Sequence, residues 1–241
     1  MPPPRARAAR RGAVLVLAAV LLSACAKGAP VNDGVSAPPG GKYPLRLAMV
    51  TDSGGLGDKS FNDGAYAGLQ GAKQRLGATI EVLESKSAAD YQPNITALAD
   101  QDFDEIFAIG FLMNKDLRYV ARDYPKRHFA IVDSVIDEPN VSSVTFREQD
   151  GSFLAGALAA MVSKTKTIGF LGGMDVPLLR KFEAGFTAGA RQADPRVKVV
   201  DKYVGSFDDV ASGKELAGVI YDGGADVLYV AAGKSGLGAI D

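Results

Sequence analysis

The run Thr51-Asp-Ser-Gly-Gly-Leu-Gly-Asp-Lys-Ser-Phe-Asn62 carries two carboxylates, Asp52 and Asp58, on a glycine-rich loop that ends at an aromatic ring, Phe61. Glycines let the backbone approach a ligand closely, and the first amides of a helix point outward unpaired. Two anions would repel a third, so this loop suits hydroxyls or amines rather than phosphate. A further carboxylate, Asp133, closes the apolar run His128-Phe-Ala-Ile-Val-Asp133, and a second ring, Phe207, ends Val204-Gly-Ser-Phe207. Asp52 and Asp133 can each accept two hydrogen bonds from a sugar diol, at about 1.5–3 kcal/mol per bond to a charged acceptor. Phe61 and Phe207 can sandwich a flat base, each aromatic pair adding about 0.5–1.5 kcal/mol beyond buried area. Plainer accounts compete with each assignment. Asp52 and Asp133 suit helix N-caps or turns, Asp58 suits a cap acting through Phe61 and Asn62, and either ring suits the core.

Other chemistry is thinly represented. The sequence holds one histidine, His128, at the start of an apolar run, and one cysteine, Cys25. A zinc site or a Cys/His nucleophile therefore lacks its parts, and no Gly-x-Ser-x-Gly elbow occurs. Asp52, Asp58 and Asp133 are the carboxylates an enzyme would have to use, and nothing in their spacing pairs them. Gly55-x-Gly57-x-x-Ser60 nearly matches a dinucleotide fingerprint, but Asp58 would sit beside the pyrophosphate. Gly233-Lys234-Ser235 resembles a phosphate loop whose leading glycine is replaced by Leu228. The expectation is a binding protein without catalysis, cofactor or metal.

These residues need elements to hold them. Arg5, Arg7, Arg10 and Arg11 precede an apolar core, Ala13 to Leu22, too short for a comfortable permanent span. Leu22-Ser-Ala-Cys25 then resembles the bacterial lipobox, in which the signal peptide is cut before a cysteine that becomes lipidated; an ordinary signal peptide is the alternative. Residues 1–25 are read as a lipoprotein signal peptide and 26–42, rich in Pro, Gly, Ala and Ser, as a flexible tether. The implied location is extracytoplasmic, held to a membrane by lipid at Cys25. The net charge is −1 with both signs interspersed, so no nucleic-acid surface is expected.

From Leu45 onward strand and helix alternate. Leu45–Val50, Thr79–Leu83, Glu105–Phe111 and His128–Asp133 read as strands. Between them stand helices bearing Ala65, Leu69, Ala72 and Leu76, then Tyr91 to Ala99, then Leu117, Val120 and Ala121 before Pro125. A second unit is placed from near Ser143-Val-Thr-Phe146, giving lobes of residues 43–146 and 147–241. It holds a small-residue helix, Gly151 to Val162, suited to close helix packing, and a strand and glycine turn, Thr167–Gly173. A helix from Pro177 through Phe186, a strand Val197–Phe207, a helix Asp209–Tyr221 and a buried strand Asp226–Gly233 follow. The echo of the first motif suggests two doubly wound α/β lobes across a cleft. The chain stops at Asp241 where a helix should begin, which reads as a missing C-terminal part.

Asp52–Asn62, Gly173-Met-Asp-Val-Pro177, Arg180-Lys-Phe-Glu-Ala-Gly-Phe186, Tyr203-Val-Gly-Ser-Phe207 and Ala231-Ala-Gly-x-x-Gly-x-Gly238 together resemble the basic membrane protein family, nucleoside-binding lipoproteins of ABC importers. The resemblance implies a type I periplasmic-binding-protein fold and a purine or related nucleoside between Phe61 and Phe207. It places Asn62 at the base, Asp133 and Gly233 on the ribose side, and Asp52 and Asp58 in the same loop. ABC permease and ATPase subunits are the implied partners, and closure of the lobes about a hinge is the implied mechanism. Family members continue well past Asp241, where further strands, two hinge crossings and an acidic and a lysine contact to ribose lie. Some members are surface antigens or regulators. A sugar or polyol binder of the same fold, a ligand-sensing surface lipoprotein without a permease, and a nucleoside-cleaving enzyme therefore remain as alternatives.

Overall fold

A computed structural model describes residues 44–240. The expected signal peptide, the lipidation site Cys25 and the tether fall outside these residues, as does Asp241.

The first sheet consists of β1 (Arg46–Thr51), β2 (Thr79–Leu83), β3 (Glu105–Ile109), β4 (Phe129–Val132) and β5 (Val141–Val144). All pair in parallel, in the order β2-β1-β3-β4-β5. Its central strands are apolar because helices cover both faces: Ala48, Met49, Val50, Ile106 and Ile131 are fully buried. The helices are α1 (Phe61–Leu76), α2 (Tyr91–Ala99) and α3 (Asn114–Asp123). Gly77, at φ 69°, ends α1 in the left-handed conformation that glycine adopts without a Cβ penalty. Ile95, Leu98 and Leu117 turn into the core.

The second sheet has β6 (Thr167–Gly172), β7 (Lys198–Tyr203) and β8 (Val227–Ala231), parallel in the order β7-β6-β8. Around it lie α4 (Glu148–Val162), α5 (Pro177–Ala193) and α6 (Val210–Asp222), and a 3-10 turn covers Gly233–Ala239. Pro177 occupies the first turn of α5, where its missing N–H costs nothing. Phe170, Phe186 and Tyr229 build this core, Phe186 stacking on Tyr229 at 5.1 Å and 21°. Where α4 meets α5, side chains give way to backbone. A Cβ on Gly156 would fall 1.9 Å from the Phe186 carbonyl oxygen, and one on Gly189 1.9 Å from that of Phe153.

Several boundaries differ from the sequence reading. Strand β3 stops at Ile109, because Gly110 turns out of the ladder at φ 117° and Phe111–Met113 coil into a 3-10 turn. Strand β7 stops at Tyr203, before the turn at Gly205 (φ 88°), so Phe207 stands on a loop. Ser143 and Val144 belong to β5 of the first sheet and do not open the second unit, whose first element is α4. That helix starts at Glu148, ahead of Gly151. Strand β8 is half-buried throughout, not buried on both faces, because it lies at a sheet edge. Among the described residues the chain passes between the sheets once, through residues 145–147.

Candidate functional site

In each sheet the strand order reverses about a central strand, and ligands of doubly wound sheets sit beyond the carboxyl ends at such a point. The loops after β1 and β3 carry Asp52 to Asn62 and Gly110 to Phe111; those after β6, β7 and β8 carry Gly173, Phe207 and Gly233. They enclose a cavity of about 390 Å³. Asp52, Asp58, Phe61, Asn62, Asp133, Phe207 and Gly233 all line it, so the folding brings every expected site residue among the described ones to one place. Its walls are mainly apolar: Phe111, Leu178, Leu179, Phe182 and Leu237 also line it.

The first loop is held by carboxylates, most of them its own or at the start of α1, with Glu84 from beyond β2. Asp52 accepts from the Gly54 amide at 3.0 Å, Glu84 from Leu56 at 2.8 Å, and Asp63 from Gly57 at 2.8 Å and Lys59 at 2.9 Å. Asp58 accepts from the amides of Ser60, Asn62 and Asp63, at 2.9, 2.8 and 3.1 Å. It therefore caps α1, but through these three amides and not through that of Phe61. The donors a phosphate would need are thus occupied, which removes the physical basis for a dinucleotide site. In the Gly233-Lys234-Ser235 segment the Ser235 amide is likewise taken, by the Phe207 carbonyl at 3.0 Å.

Asn62 is 1% exposed, and its amide orientation follows from its neighbours. Nδ2 lies 2.8 Å from Asp52 Oδ1 and 3.2 Å from Asp58 Oδ2, two acceptors that require a donor. Oδ1 is left buried without a partner. Asp133 sits at φ 62°, left-handed and strained for a non-glycine residue. Its amide donates to the Val144 carbonyl at 2.8 Å, while its Oδ1 is buried without a donor. Burial pushes its carboxyl up to about 6, Glu148 adding to the rise and Lys181 opposing it. Burial also raises the Asp52 carboxyl, against the bonds from Asn62 and Gly54. The free polar atoms on Asn62 and Asp133 are both acceptors, so a group meeting them must donate.

The two expected rings rest on glycines. A Cβ on Gly110 would lie 3.4 Å from the Phe61 ring, and one on Gly173 would lie 2.2 Å from the Phe207 ring. Phe111 meets Phe207 edge-on, centroids 6.0 Å apart at 78°. Sequence reasoning missed Phe111 by counting it into the strand; Gly110 interrupting the apolar run was the available signal. Ser235, fully buried, joins the Phe207 loop to the turn after β8. Its hydroxyl donates to the Ser206 carbonyl at 3.1 Å and accepts from the Asp209 amide at 2.9 Å.

Comparison with known proteins agrees with this architecture. The Bmp family, described as ABC transporter substrate-binding protein PnrA-like, matches residues 45–241. The ABC transporter nucleoside-binding protein BmpA of Lactococcus lactis is 42% identical over 202 residues, covering 82% of this chain and 58% of that protein. Basic membrane protein A1 of Borrelia garinii is 37% identical, covering 81% and 59%. A solved ABC transporter solute-binding protein from Aeropyrum pernix superposes with a TM-score of 0.76 at 32% identity, covering 82% of this chain and 57% of that one. The chain thus spans less than two thirds of the length of these relatives. The fold is the periplasmic-binding-protein-like α/β fold expected from the sequence.

Proposed function

We propose, from the premise that the chain belongs to the Bmp family of PnrA-like ABC transporter substrate-binding proteins, that it captures nucleosides outside the cytoplasmic membrane for an ABC importer. The observation that carries this reading is the pair of rings, Phe61 and Phe207, backed by glycines around a cavity whose unpartnered polar atoms are acceptors. A base between the rings gains stacking, and Asn62 Oδ1 takes an N–H from its edge. Asp133 takes ribose hydroxyls, each bond to a charged acceptor contributing about 1.5–3 kcal/mol. Asp58 acts at one remove by holding Asn62, Asp52 borders both rings' loops, and Gly233 lets the sugar approach the backbone. Closure of the lobes about residues 145–147 completes the site. The nucleoside-binding name of the Lactococcus relative supports this ligand class. Anchoring through Cys25, exposure at the cell surface or periplasm, and delivery to permease and ATPase subunits complete the proposal. Among the described residues no helix is long and apolar enough to cross a membrane.

Calorimetric titration of the full-length protein with inosine, guanosine, adenosine, cytidine, ribose and inosine monophosphate tests the reading. Nucleosides should bind at about −8 kcal/mol or better. Ribose should give no signal, and the monophosphate should bind at least about a hundredfold more weakly, because the loop's carboxylates repel it. Ribose binding as tightly as its nucleosides would replace this reading with a sugar binder, since sugars need no second ring. Conversion of nucleoside to free base during incubation would instead identify an enzyme.

The glycine beneath Phe207 offers a separate check. Gly173→Ala puts a methyl group 2.2 Å from the Phe207 ring, which must shift from its place to admit it. Nucleoside affinity should fall about tenfold, with a change in melting temperature under about 3 °C. An unaltered titration would show that Phe207 does not stack on the ligand.

A further inference from the structure

Phe111 is a further aromatic ring at the cavity, and neither core accounts for it. It stands half-buried at the start of the 3-10 turn after β3, in none of the buried apolar clusters of the described residues. Among those residues its aromatic neighbour is Phe207, met edge-on at 6.0 Å and 78°. The two rings belong to different lobes: Phe111 follows β3 of the first sheet, and Phe207 follows β7 of the second. The lobes come together at the same place through backbone, since a Cβ on Gly54 would lie 3.9 Å from the Phe207 carbonyl oxygen.

Each ring is mounted on an ordered turn. Gly110 leaves the ladder at φ 117°, and the Met113 amide closes the turn on the Gly110 carbonyl at 3.3 Å. Ser235 ties the Phe207 loop to the turn after β8. With both turns held, the contact opens chiefly as one lobe moves against the other about residues 145–147. A contact made in the closed cleft and lost in the open one slows opening. Because the two rings meet without help from a ligand, that contact hinders entry and exit alike.

We propose that Phe111 is a gating residue: its edge contact with Phe207 latches the two lobes across the cavity and must break each time a ligand enters or leaves. The inference rests on the nucleoside reading, since the passage to be timed is that of a nucleoside.

Stopped-flow mixing of the full-length protein with inosine tests it. The sequence has no tryptophan and Tyr229 lines the cavity, so tyrosine fluorescence reports binding. In Phe111→Ala the on-rate should rise about fivefold, the size expected for one aromatic edge contact. The off-rate should rise at least as much. Loss of a ligand contact raises the off-rate alone, and loss of folding lowers the signal; neither speeds entry. In a Phe207→Ala background the same substitution should leave the on-rate as it stands, because the latch is already gone. Should Phe111→Ala fail to fold, Phe111→Leu decides: it keeps apolar bulk without the ring edge, and its on-rate should rise about threefold. Inosine binding in the parent, with an on-rate that the variant leaves unchanged or slows, would overturn this inference and leave the nucleoside reading standing. So would an equal acceleration with and without Phe207. No inosine binding in the parent would overturn both.

Discussion

Replacing Phe207 with alanine is expected to weaken nucleoside binding about a hundredfold while shifting the melting temperature by less than about 3 °C. The face of the ring supplies base stacking, about 1–3 kcal/mol when such a ring is truncated. The edge contact with Phe111, at 6.0 Å and 78°, is present before any ligand binds, so it sets the ring's tilt and does not add to the affinity. At about 1.4 kcal/mol per tenfold, the upper part of the stacking range corresponds to roughly two decades. Stability changes little because the ring stands on a loop, outside the clusters that form the second core. Phe61→Ala is a less clean experiment, since that ring also packs against Met49, Leu69 and Ile109 and its loss would loosen α1. Phe207→Leu separates area from stacking: it restores apolar contact without a π-face and should recover only part of the affinity. Calorimetry with inosine, paired with a thermal melt, reads both quantities. Unchanged affinity in Phe207→Ala would remove the sandwich from the mechanism.

The largest effect on stability is expected at the contact between α4 and α5. Gly156→Val or Gly189→Val should each cost about 3 kcal/mol or more, lowering the melting temperature by about 6–12 °C. In an exposed helix, replacing glycine gains up to about 1 kcal/mol of propensity. Here the new side chain meets a carbonyl oxygen at 1.9 Å, and a backbone group cannot swing aside as a side-chain tip can. The clash therefore wins, and the two helices must separate. Gly151→Ala is the internal control, because nothing lies within 4 Å of its Cβ position. It should match or exceed the parent in a melt followed by circular dichroism. A Gly156→Val melt within about 2 °C of the parent would refute the close packing. Binding should fail in the same variants that unfold, since α5 brings Leu178, Leu179 and Phe182 to the cavity wall.

Much of this was legible in the residues. Phe61 and Phe207 stood out because each interrupts a polar, glycine-bearing stretch, although Phe61 also packs against the cluster of Met49, Leu69 and Ile109. Asp133 stood out because a carboxylate at the end of an apolar strand has to meet something. Phe111 was hidden by the reverse circumstance. It continues an apolar run, and only the backbone of Gly110, at φ 117°, shows that the strand has already ended. Gly156 of α4 announced close packing but not its partner, since Phe186 of α5 offers backbone there and not its side chain. For β8 the run of apolar residues did show a strand, while its half-burial follows from its place at the sheet edge.

Ser235 ties the loop bearing Phe207 to the turn bearing Gly233 through its amide and its hydroxyl. Ring and turn therefore form one body before any ligand arrives. A ligand entering this cleft meets that side already ordered, so binding there costs little loop entropy.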